Sequence, residues 1–102
     1  MTLITKRLAI AAALSLAAAG SAFAYSGQAM QKDAKITPAQ ARQIAMKAQP
    51  GTIAAMELER EKGGSGLRYS FDIKAAGATH EVGVDAKTGA VLENSVEGPN
   101  AD

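Results

Sequence analysis

Between Ala39 and Gln49 the apolar side chains Ala41, Ile44, Ala45 and Ala48 recur at spacings of three and four, while Arg42, Gln43, Lys47 and Gln49 fall elsewhere. That is one buried stripe on an otherwise wet helix. The run Ile36-Thr37-Pro38-Ala39-Gln40 supplies its start: Thr37 can cap, Pro38 suits the first helical position, and Gln40 stands three beyond the cap. Pro50-Gly51 supplies its end, because the residue before a proline avoids helical geometry.

After Gly51 the period drops from 3.6 to 2. Ala54, Met56 and Leu58 alternate with Ala55, Glu57 and Glu59, which predicts a strand with one face on a core. Across the loop Lys62-Gly63-Gly64-Ser65-Gly66, the residues Leu67, Tyr69, Phe71 and Ile73 alternate with Arg68, Ser70, Asp72 and Lys74 and make the clearest strand. Ala75 to Ala78 turns the chain into a third strand, with His80, Val82 and Val84 on one face and Glu81, Gly83 and Asp85 on the other. Asp85-Ala86-Lys87-Thr88-Gly89 is a further turn, in which the Asp85 carboxylate can accept backbone N–H groups and Gly89 can take a positive φ. A last strand is expected over Ala90 to Val96; its register is left open, since Val91 and Leu92 point to opposite faces. The expected fold is therefore α+β, one N-terminal helix packed on a four-stranded antiparallel meander. Its expected core is Ile44, Ala45, Ala48, Met56, Leu58, Tyr69, Phe71, Ile73, Val82 and Val84.

The amino-terminal stretch has a different character. Lys6 and Arg7 precede a run from Leu8 to Ala19 that is apolar but for Ser15, followed by Gly20, Ser21 and Ala22-Phe23-Ala24. Charged, apolar and small-residue regions in that order describe a secretory signal peptide over residues 1–24, cleaved after Ala24. The run is too short for a membrane span, so no stable anchor is expected after cleavage. Residues 25–35 show neither period and read as a flexible leader; 36–97 form the domain, and 98–102 a polar tail. Cleavage removes Lys6 and Arg7 from the 11 basic residues, leaving nine against ten acidic ones. Such a balance gives no reason to expect nucleic acid as a partner. The chain has no cysteine, so an exported domain of this size has only its core, a partner or self-association to stabilise it.

The chemistry of a site is sparse. His80 is the only histidine, and without cysteine a nucleophilic constellation would rest on His80 and an ordinary serine, so no enzyme and no catalytic residue is expected. No cofactor is expected either. Nor is a metal expected, the candidates being His80 and the carboxylates Glu57, Glu59 and Glu61, the last three spaced to leave one face of the first strand. Calcium asks for six to eight oxygens from a loop that wraps it, and a strand face does not wrap. His80 is expected near the end of the inner sheet face, Asp85 to serve its turn, and Met46 and Met56 to pack.

Several of these residues carry a resemblance. The helix opening Ile36 to Ala41, Gly51 ahead of Met56-Glu57-Leu58-Glu59, Tyr69 to Ile73, and above all the Val-Asp-Ala-x-Thr-Gly-x-Val run at Val84 to Val91 resemble the PepSY domain over Ile36 to Glu97. Ser70 and Phe71 depart from the acidic residue and valine common at their positions. The resemblance implies a non-catalytic module that binds and restrains a peptidase, or controls another protein near the cell surface. It brings no catalytic residues.

The expected function is thus an exported binding or regulatory module acting in trans on a peptidase or other envelope protein, in the periplasm or, failing that, secreted. The expected partner surfaces are the two sheet edges, through Ile53, Ala55, Glu57, Glu59 and Glu61 on the first strand and Val91 and Glu93 on the last. Two alternatives stand beside it: an envelope protein binding a cation or small ligand on the Glu57, Glu59 and Glu61 face, and a structural subunit that completes a small core as a homodimer.

Overall fold

The computed structural model describes residues 24–97. The expected signal segment up to residue 23 and the polar tail from residue 98 lie outside them. A 3-10 helix, Gln28–Asp33, precedes the α-helix α1, Pro38–Ala48. Four strands follow: β1, Thr52–Arg60; β2, Leu67–Ala75; β3, Ala78–Asp85; and β4, Val91–Val96. They form one antiparallel sheet in the order β1-β2-β3-β4, with α1 across one face. The architecture is the expected α+β unit. Among the described residues no helix is long and apolar enough to cross a membrane.

The local signals act as read. The Thr37 hydroxyl accepts the Gln40 N–H at 3.0 Å while the Gln40 side chain accepts the Thr37 N–H at 2.8 Å, a reciprocal cap that satisfies two of the helix's open donors. At the other end the Asn94 side chain donates to the Ala48 carbonyl at 3.3 Å, fastening the last turn of α1 to β4. Tyr69, Phe71, Ile73, Val82 and Val84 are fully buried under the helix.

The core differs from expectation at its margins. Ala41, Leu67 and Ala86 are fully buried, whereas Ile44, Ala48 and Met56 are only half-buried. Two interruptions of the strand ladders also change which strand residues face inward. In β1 the register shifts between Ile53 and Ala55, so Ile53, opposite Ile73, takes the inward position assigned to Ala54. In β4 the register shifts opposite Gly83 and Val84, leaving Leu92 as the extra residue and Val91 facing Val84. An extra residue reverses the facing of everything beyond it, and a two-residue period in sequence cannot show where it falls.

The segment expected to be a flexible leader packs as part of the domain. The Ser26 carbonyl accepts the Leu58 N–H at 2.8 Å, pairing the chain in parallel with the outer edge of β1 at Glu57. The Tyr25 ring lies 6.5 Å from that of Tyr69, and Met30, Ala34 and Ile36 pack on the core. Lys35 and Ile36 both donate to the Ala86 carbonyl, and Asp33 pairs with Arg60 at 3.0 Å. Gly27 makes the approach feasible: its φ is +85°, and a β-carbon there would lie 1.8 Å from the Leu58 carbonyl oxygen. The small α1 covers only part of the inner sheet face, and these residues cover much of the remainder.

Candidate functional site

At one end of the sheet, polar residues from two loops meet on Asp85, which is fully buried. Its carboxylate accepts the Ser65 N–H at 2.6 Å, the Ser65 hydroxyl at 2.9 Å, and the N–H groups of Lys87 at 2.8 Å and Thr88 at 3.0 Å. Burial alone would raise its pKa; these four donors outweigh it and hold the group at about 2. Gly64 permits this contact, since with φ at +55° a β-carbon would lie 2.1 Å from Asp85 Oδ2. Gly89, as expected, takes φ at +82°. All of these bonds are internal, so the arrangement fixes the β1–β2 loop to the β3–β4 turn and offers no open group to a ligand. Nearby, burial and then Tyr25 push the Tyr69 phenol up to about 12, and it stays a donor to the Ile36 carbonyl at 3.0 Å.

The outer face of the sheet is polar and mainly acidic. Arg68, near the start of β2, lies over Gly83 and is only 7% exposed, giving Nη1 to Glu93 at 3.3 Å and Nη2 to the Lys62 carbonyl at 3.1 Å. Glu57 and Glu59 stand on this face opposite Ser70 and Arg68, and the Ser70 hydroxyl donates to Glu59 at 2.7 Å. Glu81 pairs across with Asp72; its carboxyl is pushed up by burial and then by the negative charges of Glu93, Asp72, Glu97 and Glu59. Glu61 falls outside the expected row, because β1 ends at Arg60 and the Glu61 amide instead donates to Gly66 in the loop at 3.1 Å. His80 sits on the opposite, inner face between Ile73 and Val96. Glu57, Glu59, Glu61 and His80 are therefore not brought together, and among the described residues no three such side chains converge to hold a metal ion.

The sheet edges differ from each other. On β4, Val91 and Val96 are 44% and 62% exposed, and Glu93 is engaged by Arg68. On β1 the half around Glu57 and Leu58 is covered by Ser26, while the half from Thr52 to Met56 borders a groove. This groove, about 400 Å³, runs between α1 and the strand and is lined by Ala24, Tyr25, Arg42, Ile53, Ala54, Ala55 and Met56. A shallower hollow of about 630 Å³ continues it past Arg42 and Ile53 to Met46 and Thr52. Ile53 and Ala55, two of the expected edge residues, thus line it, whereas Glu57 and Glu59 lie beyond it on the outer face.

Arg42, Tyr25 and Met46 were not singled out as site residues by sequence. Arg42 stands on the wet side of the helical pattern, and nothing in that pattern tells which wet residue borders β1. Gly27 was the one available signal for the Tyr25 segment, and an isolated glycine in a polar stretch reads equally as a loop.

The comparisons with known proteins fit this architecture. No curated protein and no solved structure matches the chain. The PepSY family, described as peptidase propeptide and YPEB domain, matches residues 35–94, which take in α1, β1, β2, β3 and most of β4. With that match covering more than half of the sequence, the chain belongs to the PepSY family.

Proposed function

We propose that the protein is an exported, non-catalytic module that binds a peptidase, or another protein of the cell envelope, in trans and restrains it. The observation that carries this reading is the family match over residues 35–94, a family described by its peptidase propeptides. A propeptide acts by occupying a surface of its peptidase, and a surface of that kind needs complementarity, not catalytic groups. The β1 edge supports a physical route, because it already accepts an extended segment from outside the sheet at Ser26. Export is supported by the order of Lys6, Arg7, the apolar run to Ala19 and Ala22-Phe23-Ala24.

The test is a titration of the purified protein against the metallopeptidases exported by the same cell. A saturable fall in kcat/KM is the expected outcome; unchanged rates at large molar excess against all of them, together with an empty crosslinked capture from envelope extract, would sink the proposal. Amino-terminal sequencing of the protein recovered from the cell envelope should begin at Tyr25.

A further inference from the structure

Within that regulatory reading, the α1–β1 groove points to one kind of occupant. We infer that it seats a short extended segment of the partner protein, added to the open half of β1 and carrying a carboxylate for Arg42. Three features of the groove converge on this.

The first is the backbone. Leu58 directs its N–H off the sheet edge to Ser26, and the two-residue period places the Met56 N–H on the same edge. A partner segment would continue, end to end, a strand addition that Tyr25 and Ser26 have begun. Exposed Ala54 and Ala55 leave room for another backbone to approach. The ladder irregularity between Ile53 and Ala55 limits the regular pairing to a few residues, which suits a short segment and disfavours edge-to-edge pairing of two whole sheets.

The second feature is the apolar lining: Ile53, Met56 and Met46 are half-buried and face the space between helix and strand. An added strand presents every other side chain to such a floor. The third is charge. Among the described residues Arg42 borders both parts of the groove, is the only charged residue lining either, and has no ion pair. A guanidinium in a part-apolar setting is matched by a carboxylate, which it can hold with two parallel hydrogen bonds. A basic segment would be repelled. The recognition element is therefore an Asp or Glu with an apolar residue two positions away.

The experiment is selection from a phage-displayed library of random peptides on the purified exported protein, beginning at Tyr25, followed by titration of the enriched peptides monitored by amide NMR shifts. Enriched sequences should carry Asp or Glu with an apolar residue at spacing two, shift the amides of Thr52 to Met56, and bind about fivefold more weakly or worse to Arg42→Gln. Lys47→Gln, on the exposed side of α1, should bind as the parent does. No enriched family, enrichment of basic sequences, or shifts confined to the outer face or to β4 would overturn the inference. So would self-association of the protein through Thr52 to Met56, which would make a second copy the occupant.

The inhibition assay separates this site from the regulatory reading. If Arg42→Gln loses the peptides yet inhibits a peptidase as the parent does, the groove is not the regulatory contact and the inference fails while the regulatory reading stands. If peptides bind as expected, no peptidase responds and no envelope protein is captured, the groove assignment stands and the regulatory reading fails.

Discussion

The Asp85 turn and the α1–β1 groove sit at different places on one small sheet and treat their polar groups in opposite ways. Around Asp85 one carboxylate is met by four donors from two loops and is fully buried. Around Arg42 one guanidinium borders a groove with no charged partner among the described residues. The most specific run of the sequence, Val84 to Val91, thus serves to close the fold. The open surface is made by residues of little distinction. Satisfied polar networks rigidify, and an unpaired cation beside apolar side chains is available to another molecule.

The contrast can be broken most severely at Asp85. Asp85→Ala removes the acceptor from four donors at once and should cost about 3 kcal/mol or more, seen as a fall in the urea midpoint. The pH dependence follows from the same bonds. The folded-state pKa of Asp85, about 2, lies below its ordinary 3.8, so its contribution is fully present above 3.8 and fades as pH falls toward 2. Glu81 has the opposite sign: its raised pKa means that ionisation opposes folding as pH rises past its ordinary 4.5. Urea midpoints measured from pH 6 down to pH 2 should therefore drop steeply only in the lower part of the range, and the Asp85→Asn variant should lose most of that drop.

Gly64→Ala attacks the same end from the other loop, forcing a β-carbon against Asp85 Oδ2 at a positive φ. A cost of about 2 kcal/mol is expected in the same denaturation assay. Tyr25→Ala tests whether the amino-terminal segment belongs to the domain; loss of the ring beside Tyr69 should cost about 1–2 kcal/mol and speed hydrogen exchange at the Leu58 amide. An unchanged midpoint and unchanged exchange would return those residues to the status of a leader. Arg42→Gln should leave stability within about 0.5 kcal/mol of the parent, because no ion pair among the described residues is broken.

Much of this architecture was legible in the sequence. Thr37, Pro38 and Gln40 specified the start of α1, and the alternation from Leu67 to Ile73 specified β2, because caps and periods are local and report directly on backbone hydrogen bonding and burial. Asp85 was assigned to its turn for the same reason. Its bonds to Lys87 and Thr88 span two and three residues, although those to Ser65, twenty residues away, were beyond such a reading.

The candidate site was less legible. Ile53 and Ala55 were placed on a partner edge by the strand pattern, yet Glu57 and Glu59 fall outside the groove and Glu61 is off the strand. The extra residue in β1 is what separates Ile53 from the facing its sequence position suggests, and nothing in Thr52 to Ala55 announces it.

The sequence by itself determined the helix, the four strands, their order and the family, since each follows from short-range periodicity, capping and turn chemistry. Only the tertiary structure decided that residues 25–35 pack against the sheet, that Ser26 closes half of an edge, and that Arg42 stands over the other half. These outcomes depend on how far α1 reaches across the sheet and on which residue of each ladder is doubled. Both are settled by long-range packing, where no single stretch of chain holds the information.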